Sequence, residues 1–222
     1  MPTIIKMPKQ LLFLNSISKQ VIETFNNENE HLNISCQPLI QTQEITFNPH
    51  DLDPSIPWIF TSQTAVNAVL KYPLSKTIYC IGQKTSSAIP HAITPSQSTA
   101  KHLAKRIIKS NEKKVIFICG DKRRDELPQR LKNNGISVKE VIVYETNYLK
   151  KSVNLQEIDG LAFMSPSAVF SMNENGGFNN LPCFAIGPTT AQALESLNQK
   201  WIMSQQTDVS SMLEMARKYF LI

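Results

Sequence analysis

Two serines in this chain sit in the same local setting. Phe60-Thr61-Ser62-Gln63-Thr64-Ala65-Val66 and Phe163-Met164-Ser165-Pro166-Ser167-Ala168-Val169 share the pattern F-x-S-x-x-A-V. After a spacer, each is followed by a second matching pair. Ile81-Gly82-Gln83-Lys84-Thr85-Ser86-Ser87-Ala88-Ile89 and Ile186-Gly187-Pro188-Thr189-Thr190-Ala191-Gln192-Ala193-Leu194 share I-G-x-x-T-x-x-A and a closing apolar residue. Each motif reads as a strand that ends in small polar residues opening a helix. The first amides of a helix have no partner inside it and point outward at the positive end of the helix dipole, which suits anions. Ser62 and Ser165 are also ordinary N-caps, and Pro166 is well placed at a first helical position. Gly82 and Gly187 either let a ligand approach the backbone or make a tight turn. Any one of these features alone reads as structural. Their duplication points to two similar lobes whose anion-binding ends face one ligand.

Other chemistries fit less well. A serine nucleophile needs an oriented histidine base, and no histidine follows His102. The four histidines, His31, His50, His91 and His102, share no metal-ligand spacing with each other or with the four cysteines. Cys36, Cys80, Cys119 and Cys183 lie in or beside apolar runs without a C-x-x-C, as buried reduced thiols do. Asp51-Leu52-Asp53-Pro54 pairs two carboxylates, but Asp before Pro is a turn former. Tyr144 carries a phenol that is a neutral hydrogen-bond donor at pH 7 or a packed strand aromatic. The net charge of +5 is spread along the chain, and its dense spots, Lys113-Lys114 and Lys122-Arg123-Arg124, read as solvated faces. Without a basic stripe interleaved with aromatics, nucleic-acid binding is not expected. No apolar stretch is long enough to span a membrane. Lys6, Lys9 and two prolines break up the first ten residues too often for a signal peptide, so a cytoplasmic protein is expected.

The elements that must position these residues recur too. Leu11 to Leu14 reads as a strand, a helix capped by Ser16 or Ser18 covers residues 18–27, and Ile34 to Ile40 reads as a strand interrupted by Pro38. Val115 to Cys119 repeats that strand, with Gly120-Asp121 as a turn, a helix from Arg124 to Lys132, a stop at Asn133-Asn134-Gly135, and a strand from Val138 to Tyr144. These strand–helix–strand blocks alternate with the serine–glycine blocks. Phe13 recurs as Phe117 and Phe60 as Phe163, at nearly equal spacings. Ser98 and Asp208 are candidate caps for the helix that closes each serine–glycine block. Alternating strands and helices predict parallel sheets covered on both faces, with ligands beyond the strands' carboxyl ends. Leu39 to Thr46 and Val141 to Tyr148 lie between blocks. They are expected to carry the chain between lobes as a two-stranded ribbon, which alone is marginally stable and would serve as a hinge.

Taken in order, F-T-S-x-x-A-V, I-G-x-x-T, Cys119-Gly120-Asp121-Lys122-Arg123-Arg124-Asp125-Glu126-Leu127-Pro128, Val143-Tyr144-Glu145-Thr146, F-x-S-P-S-A-V and Ile186-Gly187-Pro188-Thr189-Thr190-Ala191 resemble the uroporphyrinogen-III synthase family. The resemblance runs from about Leu12 to Leu213; order and spacing carry it rather than any single motif. It implies an α/β fold of two similar lobes, each a parallel sheet flanked by helices, joined by a two-stranded β ladder. The first block then packs with the fourth and the second with the third. The expected boundaries are 1–38 with 152–222 for one lobe, 47–142 for the other, and linker strands at 39–46 and 143–151.

The resemblance also implies an activity. Members of the family are lyases that close linear hydroxymethylbilane to uroporphyrinogen III, inverting the last pyrrole ring and losing water, without cofactor or metal. The substrate's acetate and propionate carboxylates give the helix starts a purpose. By resemblance the binding residues are Ser62, Gly82, Thr85, Arg123, Ser165, Ser167, Ala168, Gly187, Thr189 and Thr190, and Tyr144 is the catalytic candidate. Expected partners are the small-molecule substrate and, transiently, the preceding pathway enzyme; the expected state is a monomer, with no nucleic acid or membrane bound. The chain departs from relatives in having Gln63-Thr64 where many carry Pro or Pro-Arg, and Pro182-Cys183 where some carry a lysine. Arg123 and Arg124 are the cations available to compensate; a solvated face is their other reading. The rival to an enzyme is a cytosolic two-lobed sensor that binds a small anion, such as a sugar phosphate, through the same helix ends.

Overall fold

A computed structural model describes residues 7–221. Most of the N-terminal stretch read above as too polar for a signal peptide therefore lies outside the described residues. The chain divides into two compact units: residues up to Gln41 with those from Asn147 onward, and Thr42–Thr146.

The first unit is built on β1 (Lys9–Phe13), β2 (Leu32–Cys36), β8 (Gly160–Phe163), β9 (Cys183–Ala185) and β10 (Trp201–Met203). Their order is β10-β9-β8-β1-β2, and every pairing between neighbours is parallel. Strand alternation divides the core between the two faces. Leu12, Leu14, Leu161 and Phe163 pack under α6 (Pro166–Glu174) and α7 (Pro188–Ser196). Leu11, Phe13, Ala162 and Phe184 pack under α1 (Lys19–Glu28) and α8 (Val209–Phe220).

The second unit repeats the plan with β4 (Trp58–Phe60), β5 (Ile78–Cys80), β6 (Lys114–Gly120) and β7 (Ser137–Tyr148), plus β3 (Ile40–Glu44) at the edge. The order is β3-β7-β6-β4-β5, and β7-β6-β4-β5 are parallel. Trp58, Phe60, Ile116 and Ile118 face α2 (Gln63–Val69), with α3 (Gln83–Ser86) beyond it. Ile59, Phe117 and Cys119 face α4 (Ala100–Ile108) and α5 (Glu126–Lys132). Among the described residues no helix is long and apolar enough to cross a membrane.

Several local expectations are refined. The strand read as Ile34 to Ile40 is two strands, β2 and β3, because the chain turns through Gln37-Pro38-Leu39. The helix read from Arg124 begins at Glu126, since Arg123 N–H bonds back to the Gly120 carbonyl and closes a turn first. Gly135, at φ 74°, stops that helix, and Ile136 N–H reaches back to the Leu131 carbonyl, as in a left-handed C-cap. The two crossing stretches do pair with each other, as β3 and β7, but Val141–Tyr148 is not half of a freestanding ribbon. It is the end of a twelve-residue strand, β7, that pairs with β6 from Ser137 to Tyr144, with β3 on its other side.

Candidate functional site

In each sheet two adjacent strands send their connections to opposite faces. From β6 the chain continues through α5, and from β4 through α2, on the other face. In the first unit β1 leads to α1 and β8 to α6, again on opposite faces. The crevice beyond the carboxyl ends of such a strand pair is where open α/β sheets bind ligands. Ser62 follows β4 at one of these points and Ser165 follows β8 at the other.

Both serines cap their helices. Ser62 Oγ accepts from Ala65 N–H at 3.2 Å and Ser165 Oγ from Ala168 N–H at 3.3 Å. The phenylalanine before each is fully buried and fixes the strand end, a burial that contributes about 1.5–3 kcal/mol. Each Oγ also accepts a second hydrogen bond. The Tyr144 hydroxyl donates to Ser62 at 3.1 Å. Asn15 Nδ2 donates to Ser165 at 3.1 Å, while Asn15 Oδ1 accepts from Met164 N–H at 2.7 Å. With both lone pairs engaged, each serine's own proton is the part left to offer. A donor at a helix start suits a carboxylate.

Tyr144 reaches Ser62 by lying across the end of β6. Gly120 lies directly beneath it: a Cβ there would overlap the phenol ring and stand 2.8 Å from its oxygen. Burial pushes the Tyr144 phenol above its ordinary pKa, and its hydrogen bond to Ser62 offsets this in part. The group is therefore a protonated donor at neutral pH.

The other residues singled out from sequence divide into two sets. Ser167 and Ala168 lie in the first turn of α6 beside Ser165, the first half-buried and the second buried. Thr189 is exposed at the start of α7. Thr85 and Thr190 occupy matching places in α3 and α7, and both turn inward, so neither hydroxyl belongs to an open surface. Gly82 and Gly187 cap α3 and α7 in extended conformations without a side-chain cap bond. The space where their side chains would lie is taken by the protein. A Cβ on Gly82 would overlap the Ser98 hydroxyl, and one on Gly187 would stand 3.3 Å from Thr207 Oγ1. Ser98 is therefore not the cap of α4; its neighbour Thr99 is, accepting from His102 N–H at 3.2 Å. Asp208 does cap α8, through Ser211 N–H at 2.8 Å. The Arg123 guanidinium is already tied to two carboxylates, through Nε to Glu140 and through Nη1 to Asp125 at 2.7 Å. Among the described residues no cluster of three His, Cys, Asp or Glu is placed to hold a metal ion.

Gly120, Asp121 and Asn15 carry more of the site than their sequence context reveals. Gly120-Asp121 reads locally as a turn, and nothing beside Asn15 in the sequence singles it out. Only the pairing of strands far apart in the chain gives them their contacts.

Fold and site together define a two-unit parallel α/β protein with a capped helix start at each sheet's switch point. The family model for uroporphyrinogen-III synthase HemD matches residues 28–214. The chain belongs to the uroporphyrinogen-III synthase HemD family. It is 25% identical over 185 residues to the porphyrin biosynthesis protein HemD of Ruminiclostridium josui, covering 71% of this chain and 37% of that protein. It is 25% identical over 179 residues to uroporphyrinogen-III synthase of Saccharomyces cerevisiae, covering 66% of this chain and 65% of that one. The chain thus spans just over a third of the first relative and just under two thirds of the second. Its fold is like that of the uroporphyrinogen-III synthetase from Helicobacter pylori, with a TM-score of 0.60 at 20% identity over 95% of this chain and 99% of that one. It is also like that of a mutant uroporphyrinogen III synthase from Thermus thermophilus, with a TM-score of 0.64 at 17% identity over 96% and 98% of the two chains.

Proposed function

We propose that this chain converts hydroxymethylbilane to uroporphyrinogen III. Within the family assignment, the supporting observation is the Tyr144–Ser62 pair: a half-buried, protonated phenol at a switch point, hydrogen-bonded to a helix-capping serine. In this reading the carboxylate-binding groups are the Ser62 hydroxyl in one unit and, in the other, the Ser165 hydroxyl, the Ser167 amide and Thr189, the Ala168 amide being taken by the Ser165 cap. Each helix-end contact contributes about 0.3–1 kcal/mol, and several together hold a flexible bilane in one wrapped conformation. That orientation is the larger part of the catalysis. Gly82, Gly187, Thr85 and Thr190 shape the strand–helix turns rather than touch substrate, and Arg123 braces the turn after β6.

The chemical step breaks the bond between the terminal methylene and its hydroxyl. Tyr144 needs only to rotate its O–H from Ser62 toward the departing oxygen, which leaves as water. The azafulvene cation that remains is attacked by the already substituted carbon of the terminal pyrrole. The resulting spiro intermediate fragments and recloses with that ring inverted, and loss of a ring proton restores the pyrrole. The enzyme works as a cytoplasmic monomer without cofactor, receiving its unstable substrate from the enzyme that makes it.

The test is direct. Freshly prepared hydroxymethylbilane is added to the protein and the isomers are separated. Isomer III should dominate; isomer I alone, the product of spontaneous closure, would remove the assignment.

A further inference from the structure

We propose that Gly120 and Asp121 are positioning residues for Tyr144: Gly120 is the floor beneath its ring and Asp121 a two-point clamp on the backbone that carries it. The proposal rests on reading Tyr144 as the group that meets the departing hydroxyl.

The ladder between β6 and β7 is regular up to Cys119, which pairs with Ile142. Gly120 then pairs with Tyr144, so Val143 is one residue too many. Such a bulge re-aims the side chain that follows it. Strict alternation would put Tyr144 on the same face as Ile142, which is 41% exposed. With the extra residue, Val143 and Tyr144 both pack against the cluster under α2, whose cap is Ser62. Asp121 makes the two bonds that hold this arrangement. Its N–H donates to the Tyr144 carbonyl at 3.1 Å, and its Oδ1 accepts from Thr146 N–H at 2.9 Å. One residue thus grips the strand at the tyrosine's own carbonyl and two residues beyond it. Gly120 faces the same side as Ile116 and Ile118, where any side chain would displace the ring. Asp121 is exposed, so its hydrogen bond to Thr146 contributes little to overall stability. Its loss should therefore appear as a misaimed phenol rather than as unfolding.

The experiment compares steady-state kinetics of Asp121→Ala, Asp121→Asn and Gly120→Ala, each made in the native protein and with Tyr144→Phe. Asp121→Ala and Gly120→Ala should lower kcat by about tenfold with little change in KM, since small misplacements of a reacting group act on turnover. Neither should lower it further once Tyr144 is phenylalanine, because residues acting through one group are not additive. Asp121→Asn keeps the Oδ1 acceptor and should stay near native turnover. Equal losses in both backgrounds overturn the proposal, as does Asp121→Asn falling to the level of Asp121→Ala. A second readout is independent of turnover. The tyrosinate absorbance of Tyr144, taken as the difference from Tyr144→Phe, should titrate closer to ordinary tyrosine in Asp121→Ala. The charged or ionisable neighbours of this phenol are Cys119 on β6 and Asp121 itself. An unchanged titration overturns the clamp. A shifted titration alongside a fully active Tyr144→Phe keeps the clamp and discards the catalytic reading of Tyr144.

Discussion

A phenol held away from water keeps its proton, and that decides what Tyr144 can do. It is a donor and not a base, because burial raises its pKa above the ordinary 10.0. Tyr144→Phe should therefore lower kcat by at least about tenfold, the low side of what a positioned proton donor contributes, in a bilane turnover assay. The sign of the pH dependence follows. A group whose folded pKa is raised contributes stability that is fully present below its unfolded pKa and is lost as pH rises through the folded one. Tyr144 thus destabilises the fold only above pH 10.0. The buried thiols act earlier. Burial pushes Cys80, Cys119 and Cys183 from 9.0 up to about 12, so their contribution is lost between those values. Denaturant midpoints should hold steady through neutral pH and fall across that range. At pH 8 a thiol reagent should modify Cys36, which is only partly buried, well before the other three, and all four once the chain is unfolded. Rapid modification of all four in the native protein would contradict the burial described.

At the scale of the element, the glycines of the I-G motifs are docking points. Each lets the segment before the next helix approach: Ser98 precedes the cap of α4 and Thr207 the cap of α8. Gly82→Ala should lower the melting temperature more than Gly187→Ala. Ser98 would have to move aside, whereas Thr207 stands 3.3 Å from the added carbon. Adding Ser98→Ala to Gly82→Ala removes the nearest atom and should recover part of the loss; no recovery would mean that the backbone itself is misplaced. The contrast with the serines marks what a sequence can reveal. A side-chain cap acts over three residues, so Ser62, Ser165 and Asp208 are legible locally. Thr85 and Thr190 repeat as clearly, yet they face inward, and a repeat alone does not separate a contact with the core from one with a ligand. Gly120 acquires its role through a bulge in a strand two elements away, and Asn15 through a strand that begins at Gly160. Nothing within a few residues of either position encodes those partners. The join between units was partly hidden for the same reason. The β-rich stretches before and after it are visible, but that β7 runs unbroken from Ser137 to Tyr148 depends on β6 beside it.

At the scale of the whole molecule, one unit is continuous in sequence and the other is not. Thr42–Thr146 contains both of its own core clusters, around Trp58 and Phe60 and around Phe117 and Leu103. Expressed alone, residues 42–146 should give a cooperative thermal transition and dispersed amide resonances; a molten spectrum would show that it depends on the remainder. The first unit has no such shortcut. Leu11 and Phe13 of β1 are fully buried in a cluster completed by Ala162 of β8, Phe184 of β9 and Met212 of α8, all made far later in the chain. During synthesis β1 and β2 leave the ribosome long before those partners exist, by on the order of ten seconds at ordinary elongation rates. For that interval a nascent chain carries an apolar strand with an open hydrogen-bonding edge while the inserted unit is completed behind it. A strand made well before β8 is sheltered only after it, which makes Lys9–Phe13 the natural target of any factor that guards newly made polypeptides.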